Sequence, residues 1–179
     1  ITVLMPVYNG ATYLNEAINS ILNQTFQNFE FIIIDDGSTD DSVKIIKSYD
    51  SSRIRLVENK NNIGPSEILN KGINLARGKY IARMDQDDIS MPERLEHQSE
   101  FMKDNPEVDV VGTWLQLMGK CDGILELETK SEDIKMNLLT NENLAHPTVM
   151  IRKRTLVKYD LNYNPAYSIA QDYDLWVRM

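Results

Sequence analysis

A single cysteine, Cys121, stands among 179 residues, so no intrachain disulfide can hold this fold together. Cys121 is expected to be a small buried thiol, and one thiol suits a reducing compartment. No apolar run approaches the roughly 18 residues that a membrane-crossing helix needs, and no secretory leader pattern is present. Basic residues are in the minority, 19 Lys and Arg against 27 Asp and Glu, for a formal charge of -8. That balance argues against non-specific binding to nucleic acid or to an anionic membrane. An acidic protein that handled an anionic substrate would need a cation at its site. Also missing is a Gly-x-Gly-x-x-Gly turn after the first strand, which disfavours a dehydrogenase.

What is present reads as a soluble globular domain, with 42% hydrophobic and 26% charged residues. Thr2 to Met5 has strand character, followed by the turn Pro6 to Gly10 and a helix whose Leu14, Ala17, Ile18, Ile21 and Leu22 share one face. Phe29 to Ile34 is apolar on both sides, as in buried parallel strands. It runs into Asp35 to Asp40 and a helix carrying Val43, Ile45 and Ile46. A third strand, Ile54 to Val57, leads through the loop Asn59 to Gly64 to a helix from about Pro65, with Ile68, Leu69, Gly72, Ile73 and Ala76 inward and Gly78 as its terminator. Tyr80 to Met84 is the fourth strand. Four strands alternating with helices imply a doubly wound, mostly parallel α/β sheet with helices on both faces. Ligands of such sheets lie at the C-terminal ends of the strands, and Pro6 to Gly10, Asp35 to Asp40 and Asp85 to Asp88 all fall there.

The last of these turns carries the chemistry. Asp85, Asp87 and Asp88 crowd three carboxylates into four residues between a buried strand and Pro92. At ~6 Å and an effective dielectric of about 20, each pair costs roughly 1–3 kcal/mol, less where water screens it. A hard divalent cation, Mg²⁺ or Mn²⁺, relieves that repulsion, and phosphate oxygens of a substrate can complete its shell. If the backbone stayed extended, Asp85 and Asp87 would share one side and Asp88 would face the other. The plainer reading is an acidic turn capping the helix near Pro92.

The second half is less regular. A helix with Leu95, Phe101 and Met102 inward is expected to run to about Asn105, followed by a strand Val108 to Leu117. A Gly119 to Gly123 turn would make a hairpin with Ile124 to Leu127. Ser131 should cap a helix to Leu139, Thr148 to Ile151 forms a short strand after His146-Pro147, Asn162 to Ala170 is loop, and a last helix starts near Asp172. One domain, 1–179, is expected, with 1–91 and 92–179 as its two halves. The chain opens in a strand and stops within helix-like Trp176 to Met179, so a longer polypeptide, truncated here at its C-terminus, is expected.

Five blocks together resemble family 2 inverting glycosyltransferases: Pro6-Val7-Tyr8-Asn9, Asp35-Asp36-Gly37-Ser38-Thr39-Asp40, Gly78-Lys79-Tyr80-Ile81-Ala82, Asp85-Gln86-Asp87-Asp88 and Gln171-Asp172-Tyr173-Asp174-Leu175-Trp176. They come in that family's order and spacing. The resemblance implies the GT-A fold, a nucleotide-diphosphate sugar donor with UDP expected, Mn²⁺ or Mg²⁺, and transfer to a hydroxyl with inversion. It implies that Tyr8 stacks on the base beside Pro6 and the backbone of Val7, and that Asp36 accepts the uracil N–H. It assigns Asp87 as direct metal ligand, Asp85 to the ribose or a metal-bound water, and Asp88 in support of either. Arg83 and Arg94 are candidates for the diphosphate. Asp172 is implied as the general base, with Asp174 as its neighbouring alternative. Gln171 stands where the family has Glu, a departure that touches acceptor contacts more than the base. His146 is a candidate second metal ligand or acceptor contact against a plain structural role, and Trp114 a candidate lining of the acceptor cleft against a core position.

The expected acceptor is a saccharide or lipid-linked saccharide, with no nucleic acid partner. The expected location is cytoplasmic, peripheral attachment at the inner face of the membrane being an open alternative. A nucleotidyltransferase would show a Gly-rich phosphate loop with Lys near the first strand, which Pro6 to Gly10 is not. A non-catalytic sugar-nucleotide-binding module remains the alternative outside enzymes.

Overall fold

A computed structural model describes residues 1–119, 121–140, 144–167 and 169–179. Lys120, inside the expected Gly119 to Gly123 turn, and Ser168, inside the expected 162–170 loop, lie outside the described residues. The chain alternates β1 (Thr2–Val7), α1 (Leu14–Leu22), β2 (Glu30–Asp35), α2 (Ser42–Lys47), β3 (Ile54–Glu58), α3 (Pro65–Leu75) and β4 (Tyr80–Arg83). After α4 (Arg94–Asp104) come the short strands β5 (Val110–Val111), β6 (Leu115–Leu117) and β7 (Gly123–Leu125), then α5 (Ser131–Asn137) and a 3-10 turn, His146–Thr148. β8 (Met150–Arg152), α6 (Lys153–Lys158) and α7 (Gln171–Arg178) complete it.

Six strands form one sheet in the order β3-β2-β1-β4-β8-β5, and β6 with β7 makes a separate hairpin. β1 to β4 run parallel, while β8 lies antiparallel to both β4 and β5. The chain winds outward from β1 to β3 and then restarts at β4 on the other side of β1. That reversal opens a crevice above β1 and β4, where ligands of open α/β sheets sit. The last β1–β4 pair is Leu4 with Arg83, so Pro6 has only β2 alongside. A residue without an N–H is tolerated there.

Alternating side chains divide the core between the two faces. Val3, Met5, Val7, Phe31 and Ile33 pack with Leu14, Ile18 and Ile21 of α1, Ile46 of α2 and Leu95 and Met102 of α4. Leu4, Ile32, Ile34 and Ile81 pack with Ile68, Leu69 and Ile73 of α3, Leu156 of α6 and Leu175 and Trp176 of α7. Helices therefore cover both faces, and the uninterrupted Phe31 to Ile34 run is fully enclosed.

Several details depart from expectation for clear reasons. Phe101 is 47% exposed, because six residues beyond Leu95 lies some 240° around the helix, and Gln98 takes the inner position instead. The expected strand Val108 to Leu117 breaks into β5 and β6. Lys130, not Ser131, occupies the cap position of α5, and no side chain caps it. Cys121 is exposed. Gly78 does not terminate α3, whose cap is Ala76.

Gly78 has a packing role: a Cβ there would lie 2.4 Å from the Thr2 nitrogen and 2.6 Å from the Ile1 carbonyl carbon. At Gly72 the nearest atom is the flexible tip of Leu4, at 2.2 Å. Gly78→Ala is therefore expected to cost about 1–3 kcal/mol in urea unfolding, and more than Gly72→Ala. An equal or smaller loss at Gly78 contradicts the close approach.

Candidate active site

The three turns at the crevice are joined by side chains that reach from one to another. Gln86 in the acidic turn accepts the Tyr8 N–H through Oε1 at 2.9 Å and donates through Nε2 to the Tyr8 carbonyl at 3.2 Å. This two-point clasp locks the β1 turn to the β4 turn, and Gly10 makes room for it: a Cβ at residue 10 would lie 2.4 Å from Gln86 Oε1. Asn9, at φ 50°, accepts the Thr39 N–H at 2.8 Å and donates its own N–H to Ser38 Oγ at 2.9 Å. Asp40 accepts the N–H groups of Ala11 and Ser42, each at 3.0 Å. The middle residue of an Asp-x-Asp pattern carries no chemistry of its own, so the part played by Gln86 had no signal in the sequence.

Tyr8 projects from this lattice with 46% of its surface exposed, while Val7 is buried. Asp35 and Asp36 are both buried and do different work. Asp35 Oδ2 accepts the N–H groups of Gly37 (3.1 Å) and Ser38 (3.2 Å), and its Oδ1 is enclosed without a partner among the described residues. Asp36 accepts from Asn59 Nδ2 at 2.8 Å and from the N–H groups of Ile63 and Gly64 at about 3.0 Å. Its carboxylate therefore fastens the 59–64 loop to the end of β2.

The acidic turn differs from the extended geometry expected of it. Regular strand ends at Arg83, and Gln86 and Asp87 lie in a turn, so the alternation of an extended strand does not run through Asp88. Burial first, then the charges of Asp85 and Asp87, hold the Asp88 carboxyl above the usual carboxylate range. Asp85 Oδ1 accepts from Arg83 Nη2 at 2.6 Å, and Asp87 is exposed. Arg83 is buried and also donates to the Met84 carbonyl. Arg94 donates to the Arg83 carbonyl at 2.7 Å and to Gln98 Oε1 at 3.1 Å, and desolvation, followed by the like charge of Arg83, lowers it to about 10. Both guanidiniums are thus engaged by protein acceptors.

The donor set suits a hard cation: carboxylate oxygens that repel one another at the C-terminal end of a strand. Among the described residues no three His, Cys, Asp or Glu side chains are gathered tightly enough to hold an ion alone. Oxygens from a substrate or from water would have to complete the shell.

The second half brings Asp172 toward the same place. It lies in the first turn of α7, its side chain 14% exposed, with Oδ2 3.8 Å from His146 Nδ1. The charges of Arg83, Asp172 and Asp85 all bear on the buried Tyr163 hydroxyl, and burial is the main cause of its raised pKa. Asp174 differs, since Arg178 holds its carboxylate at 2.6 Å. Trp114 is half exposed rather than buried in the core. It lines a cleft of about 480 Å³ with Asp88, Met91, Arg94, Pro147 and Thr148.

Burial and then the charge of Arg83 push His146 down to about 2. The unfolded chain therefore takes up this proton first: the contribution to stability is complete above about pH 6.5 and drains as pH falls toward the folded value. His146→Asn is expected to flatten that slope, so the wild type should lose Tm faster than the variant between about pH 6.5 and 4. Parallel curves would contradict the assignment.

The family described as Glycosyl transferase family 2 matches residues 2–159. An uncharacterized glycosyltransferase, MJ1057, of Methanocaldococcus jannaschii is 37% identical over 186 residues, covering 99% of this chain and 63% of its own length. The O-antigen biosynthesis glycosyltransferase WbnJ of Escherichia coli is 36% identical over 183 residues, covering 100% and 71%. The crystal structure of S. aureus TarS 1–349 with UDP superposes with a TM-score of 0.78 at 23% identity, over 96% of this chain and 52% of that one. That likeness establishes the GT-A fold.

Proposed function

The chain belongs to glycosyl transferase family 2 and is a glycosyltransferase domain; from that premise we propose that it moves a sugar from a UDP-sugar to a hydroxyl of a saccharide or lipid-linked saccharide, with inversion, in the assembly of a polysaccharide or cell-surface glycan. The observation that carries this reading is the joining of an exposed aromatic ring to an acidic turn at the crevice, with a further carboxylate on α7. Gln86, inside the acidic turn after β4, holds the exposed Tyr8 at two points beside Asp85 and Asp87, and Asp172 of α7 stands 3.8 Å from His146, just before β8, the neighbour of β4. A UDP-bound structure with the same fold and an O-antigen relative support the choice of donor and of product class.

In this reading the exposed ring of Tyr8 stacks on the base, beside Pro6 and the backbone of Val7. Asp36 gives the base its acceptor while keeping the 59–64 loop in place. Asp87 is the direct metal ligand, Asp85 reaches the ribose or a metal-bound water, and Asp88 supports both. When bound there, Mn²⁺ or Mg²⁺ supplies positive charge to the departing diphosphate. Asp172 takes the proton of the acceptor hydroxyl from the side opposite the leaving group. Asp174, occupied by Arg178, is less free to do so. The 480 Å³ cleft with Trp114 on its wall is the place for the acceptor. No helix among the described residues is long and apolar enough to cross a membrane; we retain a cytoplasmic location, with attachment at the inner membrane face as the alternative.

Incubation of the full-length protein with a panel of nucleotide sugars and Mn²⁺ should release UDP. Tight UDP binding without hydrolysis or transfer, over a wide acceptor panel, favours a non-catalytic binding module instead. Asp87→Ala should weaken Mn²⁺-dependent UDP binding by at least tenfold in calorimetry, and an unchanged Mn²⁺ dependence removes its ligand role. Asp172→Asn should leave donor affinity within about twofold and lower turnover by roughly 100-fold or more; full turnover means that another group is the base.

A further inference from the structure

His146 has no part in the roles assigned above, yet few side chains are held as firmly. It opens the 3-10 turn before β8 with a side chain 10% exposed. Its Nε2 lies 2.8 Å from the Tyr163 hydroxyl. The Tyr163 ring packs on it at 5.4 Å between centroids, and Trp176 meets it edge-on at 6.1 Å. Tyr163 is itself fixed, because Asn70 of α3 donates to its carbonyl at 2.7 Å and accepts its N–H at 2.8 Å. Trp176 and Asp172 are one turn apart on α7, on a common face. The other ring nitrogen of His146, Nδ1, lies 3.8 Å from Asp172 Oδ2.

A neutral imidazole has one donor and one acceptor nitrogen, so the partner of Nε2 decides what Nδ1 offers to Asp172. The Tyr163 hydroxyl has no other hydrogen-bond partner among the described residues. If Nε2 carried the hydrogen, the hydroxyl hydrogen would be left without an acceptor and the Nδ1 lone pair would face a carboxylate oxygen. The reverse arrangement satisfies both ends. We propose that His146 is a positioning residue for Asp172: Tyr163 donates to Nε2, and the hydrogen thereby kept on Nδ1 is aimed at Asp172 Oδ2, leaving Oδ1 for the acceptor hydroxyl.

This inference rests on the reading of Asp172 as the base. At 3.8 Å the N–H does not yet form a hydrogen bond. A shift of under ~1 Å in the first turn of α7 closes the gap, as catalytic contacts often do only once substrate is bound. The charged and titratable groups facing the imidazole are Arg83 from β4, Asp172 from α7 and Tyr163 from the loop before α7. Burial and Arg83 keep the ring neutral, so it orients the base without competing for the proton.

Comparing the imidazole ¹⁵N spectra of the full protein with and without His146→Asn assigns the His146 signals. Protonated Nδ1 and bare Nε2 are expected for His146 between about pH 5 and 8. Tyr163→Phe should release His146 to a mixture of tautomers. Protonated Nε2 in the wild type overturns the proposal without recourse to any variant. With the sugar nucleotide that releases UDP in the panel above, His146→Leu should lower kcat by roughly 10- to 100-fold at unchanged donor KM. His146→Asn, whose amide N–H takes the place of Nδ1–H, should recover most of that loss. Full kcat in His146→Leu, or equal loss in both variants, overturns the positioning role. Full turnover in Asp172→Asn instead removes the base reading, and with it the reason to position that carboxylate, whatever the tautomer. An inactive Asp172→Asn beside a fully active His146→Leu removes the present inference alone.

Discussion

Three like charges at the end of β4 are the constraint around which the crevice is arranged. Asp85, Asp87 and Asp88 leave a buried strand within four residues, and burial together with its neighbours' charges holds Asp88 above the usual carboxylate range. The protein answers part of this repulsion from within, by turning the buried Arg83 back onto Asp85. The rest is left open toward the crevice, where Asp87 is exposed. A carboxylate cluster that is incompletely neutralised, built of hard oxygen donors and too loose to hold an ion alone, suits a cation that arrives with an anionic substrate.

The neighbouring turns are ordered around that rim. Gln86 clasps Tyr8 at two points, Asn9 and Asp40 tie β1 to the turn after β2, and Asp36 fastens the 59–64 loop. An exposed aromatic ring is thereby presented from a hydrogen-bonded turn, so under the proposed function little conformational entropy would remain to be lost on stacking with a base. In the other half of the chain Tyr163, held by Asn70 of α3, fixes His146, which sets the surroundings of Asp172.

Most of the parallel half was legible in the sequence because its signals are local. The continuous Phe31 to Ile34 run, the helical stripe from Leu14 to Ile21 and the turns at strand ends each declare an element without reference to distant residues. What could not be read is non-local. β8 reads as a short apolar strand, but its antiparallel place beside β4 is settled by packing. Gly78 resembles a helix terminator and serves a close approach to Thr2. The acidic turn curls at Gln86 and Asp87 where alternation along a strand was expected. Gln86 and His146 gain their places only when residues remote in sequence, Tyr8 in one case and Tyr163 and Asp172 in the other, are brought beside them. Three of the five resemblance blocks, Pro6 to Asn9, Asp35 to Asp40 and Asp85 to Asp88, lie at the C-terminal ends of β1, β2 and β4, while Gly78 to Ala82 leads into β4 and Gln171 to Trp176 lies in α7.

The central claim is that the acidic rim and a nucleotide diphosphate share one divalent ion. Paramagnetic broadening tests this most directly: titrate Mn²⁺ into ¹⁵N-labelled protein saturated with UDP and record which amides disappear first. The account predicts that amides from Asp85 to Asp88 vanish first, followed by those of the Tyr8 turn that Gln86 binds to them, and that omission of UDP weakens the effect markedly. Broadening centred elsewhere, or none at this rim with UDP present, contradicts it.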